Sequence, residues 1–183
     1  MIKSQICIKF PGGDALLSWL KPEYQEVIAL AASESDRLGH NVVGTEHLLL
    51  GLIRQETSIA AQALKSVGVT LEKTLAEVEK IKNFNADHRK FESSFTPNAK
   101  EVIEKTLVFY RDINKSLDQV IGSESILLAI IGKQETIVQK TNYTNYTAVK
   151  VLQNLGIDFS ELTTKILQLY MTEPHSDENS SVI

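Results

Sequence analysis

Two histidines and a glutamate fall within His-Asn-Val-Val-Gly-Thr-Glu-His, His40 to His47. Imidazole and carboxylate are the side chains that hold zinc or move protons near neutral pH. The spacing argues against both uses. A zinc pair on one helix face has the pattern His-Glu-x-x-His, and here a glycine-containing loop lies between the two rings. The other histidines, His88 and His175, stand in polar stretches far along the chain. A buried or helix-capping role accounts for His40 and His47. Cys7 lies outside the periodic part of the sequence, and no nucleophile-elbow motif appears. Glu77 and Glu79 are two residues apart on a predicted helix, so they point to different faces and read as a solvated surface. No catalytic residue, metal site or cofactor site is expected.

Composition narrows the remaining classes. An apolar fraction of 43% over 183 residues suits a folded globular chain. The net charge of -4, with the signs well mixed, argues against sequence-independent binding of nucleic acid, which needs lysine and arginine to neutralise phosphates. No apolar stretch approaches the roughly 20 residues that cross a bilayer. The first residues, MIKSQICIKF, lack the long apolar core of a secretory signal. They alternate at Ile2, Ile6, Ile8 and Phe10, a pattern that could add a short strand to a partner or pack back on the protein. A single cysteine cannot form an intrachain disulfide, which points to a reducing compartment: cytoplasm, or chloroplast stroma in a plant.

The elements that must carry the loop are helical. Pro22 opens a segment apolar at Tyr24, Val27, Ile28, Ala31 and Leu38, near helical spacing, and Gly39 closes it. Thr45 is placed to cap EHLLLGLIRQ, which is apolar on most sides and belongs in the core. IAAQALKSV stops at Gly68, and Thr70 caps LEKTLAEVEKI. The order then recurs. Thr96-Pro97 opens AKEVIEKTLVFYRDI, Gly122-Ser123-Glu124 precedes SILLAIIGKQ, AVKVLQNL stops at Gly156, and Asp158 leads into FSELTTKILQLY.

The copies are offset by 75 residues at the first helix, 78 at the second and 88 at the third, as Pro22/Pro97, Gly44/Gly122 and Gly68/Gly156 show. The expected fold is all-α: two four-helix repeats around a pseudo-twofold axis, forming one eight-helix domain. The expected divisions are an extension over 1–19, repeat 1 over 20–82, a polar linker over 83–94, repeat 2 over 95–171 and a disordered tail over 172–183. The second repeat carries an insert at 139–146, and its Tyr143 and Tyr146 could form a partner-contact patch. Glu46 and Glu124 each stand in the first turn of a predicted helix, where the helix dipole favours a carboxylate.

The stretch RLGHNVVGTEHLLLGLIRQ, followed by IAAQALKSVGV, resembles the amino-terminal double repeat of the Clp/Hsp100 unfoldases, ClpC branch. The resemblance covers roughly residues 20–171. The second copy departs from the pattern, with Asn114-Lys115 where the family has Gly-His. The resemblance implies an adaptor and substrate-docking domain. In the ClpC branch the threonine opening each repeat and the glutamate after Gly-Thr accept phosphorylated arginine. Carried over copy by copy, this pairs Thr96 with Glu124. It leaves Glu46 with Lys21, whose ammonium could fill the first pocket. The sequence contains no Gly-x4-Gly-Lys-Ser/Thr loop to cradle a nucleotide phosphate. The expectation is therefore a freestanding accessory protein similar to the ClpT subunits. Its partners would be a ClpC-like chaperone, Clp protease core subunits, or their substrates and adaptors. The alternative is a diverged module that binds peptides or other ligands independently of Clp proteolysis.

Overall fold

The computed structural model describes residues 20–84, 95–113, 121–132 and 146–172, and among these it contains helices and no strand. The helices are α1 (Pro22–Arg37), α2 (Thr45–Arg54), α3 (Ile59–Ser66), α4 (Leu71–Phe84), α5 (Pro97–Ile113), α6 (Glu124–Ile131), α7 (Thr147–Asn154) and α8 (Phe159–Thr172). The fold is all-α, as expected. The N-terminal extension, most of the linker, Tyr143 with nearly all of the insert, and the tail beyond Thr172 lie outside the described residues.

Local chemistry sets the helix ends. Gly39, Gly68 and Gly156 have φ of +68°, +80° and +73°, a conformation that costs glycine nothing. Each allows the residue after it to bond back to the preceding helix: His40 N–H to Ser35 O, Val69 N–H to Leu64 O and Ile157 N–H to Leu152 O. Thr70 caps α4 through the Lys73 N–H, and Asp158 caps α8 through the N–H groups of Ser160 and Glu161. Thr96 caps α5 by accepting from the Ala99 N–H. Lys21 stands at the matching place before α1 and makes no side-chain cap.

α2 is the centre of the core: Thr45 through Leu52 are all buried. It lies close to α1 because Gly51 has no side chain. A Cβ there would sit 2.5 Å from the Val27 carbonyl oxygen. The two halves interlock. α3 of the first repeat packs on α8 of the second, and α4 of the first packs on α7 of the second. α1 and α5 are joined by the buried Tyr24 hydroxyl, 2.8 Å from Thr106 Oγ1. Burial pushes the Tyr24 phenol up to about 12, with the Thr106 hydrogen bond pulling the other way. One continuous cluster of buried residues, from Leu20 to Ile166, runs through both repeats.

Candidate functional site

The turn that carries His40, Glu46 and His47 is held at both ends. The chain leaves α1 through Gly39, and the Ser35 hydroxyl bonds to the carbonyls of His40 and Val42 at 3.1 and 3.0 Å. It enters α2 through Gly44, the residue at the cap position. The Gly44 N–H donates to His47 Nδ1 at 2.8 Å, so the histidine performs the back-bonding half of a capping box. His47 Nε2 lies 2.7 Å from His40 Nδ1. Glu46 Oε1 lies 3.7 Å from His47 Nδ1, and the carboxylate is folded over Gly44 where a Cβ would collide with it. Both His47 and Glu46 are buried. Among the described residues no three His, Cys, Asp or Glu side chains converge as metal ligands.

Thr45 corrects one expectation. It is the first residue of α2 and does not cap that helix. Its hydroxyl accepts from the Ala148 N–H at 3.2 Å, at the start of α7 in the other repeat. Tyr146, in the cap position of α7, makes no side-chain cap there, so Thr45 fills the role across the repeat boundary. The counterpart turn is Gly122-Ser123-Glu124. Glu124 is also buried and folded over its glycine, since a Cβ on Gly122 would collide with its carboxylate. Ser123 has no such duty, because α3 is capped by its own Ser58 through the Ala61 N–H. Its hydroxyl is buried without a hydrogen-bond partner among the described residues.

The two turns are crossed between repeats. The Thr96 N–H donates to the Val43 carbonyl at 2.9 Å, just before Gly44 and Glu46. The Lys21 N–H donates to the Ile121 carbonyl at 2.9 Å, just before Gly122 and Glu124. Pairing by copy put Thr96 with Glu124 and Lys21 with Glu46. The backbone instead sets Thr96 beside the Glu46 turn and Lys21 beside the Glu124 turn. The reason is the pseudo-twofold axis, which brings the opening of each repeat against the loop of the other.

Tyr146 is also corrected. It is 2% exposed and so forms part of the core, not a contact patch. Its hydroxyl is 3.1 Å from Lys105 Nζ, and the ammonium lies 5.6 Å from the ring centroid. Burial pushes its phenol up, and Lys105 pulls it back. Glu77 is bonded to Lys80 and, across the repeats, to Asn154, while Glu79 is exposed. The Lys80 hydrogen bond holds the Glu77 carboxyl below its usual range. Sequence reasoning missed Glu34, which is fully buried in α1 between Arg37 at 2.8 Å and Arg54 at 2.9 Å. Its spacing to Arg37 was a signal, but Arg54 on the next helix was not predictable from period alone.

Comparison with known proteins matches this architecture. The model of the family described as Clp repeat (R) N-terminal domain matches residues 20–142. The ClpA homolog of the ATP-dependent Clp protease from Guillardia theta is 41% identical over 144 residues, covering 79% of this chain and 16% of that protein. The chloroplastic chaperone protein ClpC1 of Arabidopsis thaliana is also 41% identical over 144 residues, covering 79% of this chain and 14% of its own length. This chain therefore spans only a small part of those relatives. Among solved structures, the N-terminal domain of Arabidopsis ClpD superposes with a TM-score of 0.64 at 21% identity, covering 87% of this chain and 99% of that one. The N-domain of ClpV from Vibrio cholerae gives 0.57 at 19% identity, over 86% and 88% of the two chains. With the family model matched over more than half of its length, the chain belongs to the Clp repeat (R) N-terminal domain family.

Proposed function

We propose that this protein is a non-catalytic docking module of a Clp protease system, binding a Clp chaperone or protease subunit or the substrates and adaptors they handle. The docking point is the Glu46 turn together with the start of α5. The Thr96–Val43 backbone bond is the observation that supports this reading, because it sets a hydroxyl-bearing helix start beside the turn that carries the buried Glu46. A guanidinium pairs with the Glu46 carboxylate. A phosphate on that guanidinium meets hydroxyl and N–H donors at the helix start. Thr96 Oγ1 already accepts from Ala99, so its own hydrogen points to donation. An arginine side chain, and phosphorylated arginine in particular, fits this chemistry. The Glu124 turn has Lys21 in the place of Thr96, and a cation there disfavours a second arginine.

Kinship with chloroplastic ClpA and ClpC proteins supports a stromal location if the source is a plant. A second reading is a peptide-binding module that works apart from proteolysis. It is favoured by one observation: a ClpV N-domain with this fold has been solved in complex with a VipB peptide, with a TM-score of 0.54. Capture from native extract with the tagged chain and with Glu46→Ala separates the two. The docking reading predicts a Clp chaperone or protease subunit on the intact bait. It also predicts fewer arginine-phosphorylated proteins on the variant. Strong capture of other proteins with no Clp component selects the independent module.

A further inference from the structure

The Glu46 turn contains a relay of two imidazole rings whose polarity is fixed at one end. A backbone amide only donates, so the Gly44 N–H makes His47 Nδ1 an acceptor that bears no hydrogen. A neutral His47 then carries its proton on Nε2, and His40 Nδ1, 2.7 Å away, is the acceptor. His47 is fully buried and His40 is half-buried, so solvent protons reach the pair through His40.

We propose that this relay is a proton switch on the Glu46 turn. With the two rings in contact, one added proton ends at the same place by either route. If His40 becomes the imidazolium, its Nδ1–H faces His47 Nε2, which must release its hydrogen and hold one on Nδ1 instead. If His47 becomes the imidazolium, it carries a hydrogen on both nitrogens. In both forms His47 Nδ1 turns from acceptor to donor. The Gly44 N–H loses its partner, and the new Nδ1–H faces Glu46 Oε1, 3.7 Å away. Glu46 is drawn toward His47 and away from a cationic ligand.

The charges around the pair leave Glu46 as the group that responds. On α1, Glu34 is paired with Arg37 and Arg54, Glu23 is half-buried, and Glu26 and Asp36 are exposed to solvent. The first titratable residues of α5 and α7 are Lys100 and Lys150, both exposed. α3 carries only Lys65, which is exposed, and α6 only Glu124, at its own turn. On α4, Glu77 is bonded to Lys80 and Asn154, and Glu72, Lys73, Glu79 and Lys80 are exposed.

The inference rests on the Glu46 turn being the docking point, but its test needs no ligand. Nitrogen-15 NMR of the full chain is recorded from about pH 8 to about pH 5.5, across the ordinary histidine range. The readouts are the imidazole nitrogens of His40 and His47 and the Gly44 amide. The switch predicts one shared transition, in which His47 Nδ1 changes from bare to protonated and the Gly44 amide proton moves upfield. In His40→Ala, the Gly44 transition moves to lower pH, because His47 is then shut off from the relay. Titration of His40 with His47 Nδ1 and the Gly44 amide unchanged would overturn the proposal, since the His40 ring would then be swinging clear. A docking site elsewhere would leave these spectra as predicted, so the two failures are distinguishable.

Discussion

Thr45 and Ser123 occupy equivalent turns, and the physical chemistry of a buried hydroxyl separates them. The Thr45 hydroxyl accepts from Ala148 and supplies the start of α7 with a cap. Thr45→Val keeps the shape and removes the acceptor, so it should cost about 1 kcal/mol, the usual worth of a cap. The Ser123 hydroxyl is buried with no partner among the described residues. Ser123→Ala removes a desolvated group that returns nothing, and stability should hold or rise by up to about 1 kcal/mol. Urea midpoints of the two variants at constant m-value check both signs. The sequence showed the equivalence of these residues but not their difference. Which helix start a hydroxyl reaches depends on packing between repeats, and within-repeat spacing is silent on that. The same limit hid His47 as the acceptor for Gly44, although His at the third helical position was visible in GTEH. Tyr146 was misread because tyrosine among Asn and Thr looks like surface, whereas Lys105 gives its hydroxyl a partner inside.

Helices were the most legible level. Prolines at Pro22 and Pro97 and glycines at Gly39, Gly68 and Gly156 mark ends that the structure reproduces within a residue or so, because those residues act through their own backbone geometry. What tied one helix to another was less visible. Tyr24 of α1 donates to Thr106 of α5, which in turn donates to the Ile103 carbonyl. Its phenol ionises near pH 12 when folded, against about 10 in an unfolded chain. The raised value means the folded state favours the neutral phenol. That stability is fully present below about pH 10, and on the order of 2–3 kcal/mol is lost as pH climbs to the folded value. Thermal unfolding followed from pH 9 upward should show a steep fall in Tm. Tyr24→Phe should flatten that fall and cost about 1 kcal/mol at neutral pH for the lost hydrogen bond.

At the scale of the whole molecule, the two repeats share one core. α3 packs on α8, α4 packs on α7, and the opening of each repeat pairs with the loop of the other. A fragment holding α1–α4 alone exposes the faces that α7 and α8 cover, so it should unfold without cooperativity, as calorimetry of residues 20–84 would show. The double repeat was legible from offsets, but the exchange across its axis was not, since aligning two copies in sequence sets like against like. That exchange is the basis of the functional account: it makes the proposed docking point a composite of Glu46 from one repeat and Thr96 from the other. Calorimetric titration of free phosphoarginine into the intact chain, Glu46→Ala and Glu124→Ala tests it most directly. The account predicts binding to the intact chain, a loss of at least about tenfold in Glu46→Ala, as expected for a charged hydrogen-bonded pair, and little change in Glu124→Ala. Binding that survives Glu46→Ala and disappears in Glu124→Ala would contradict it.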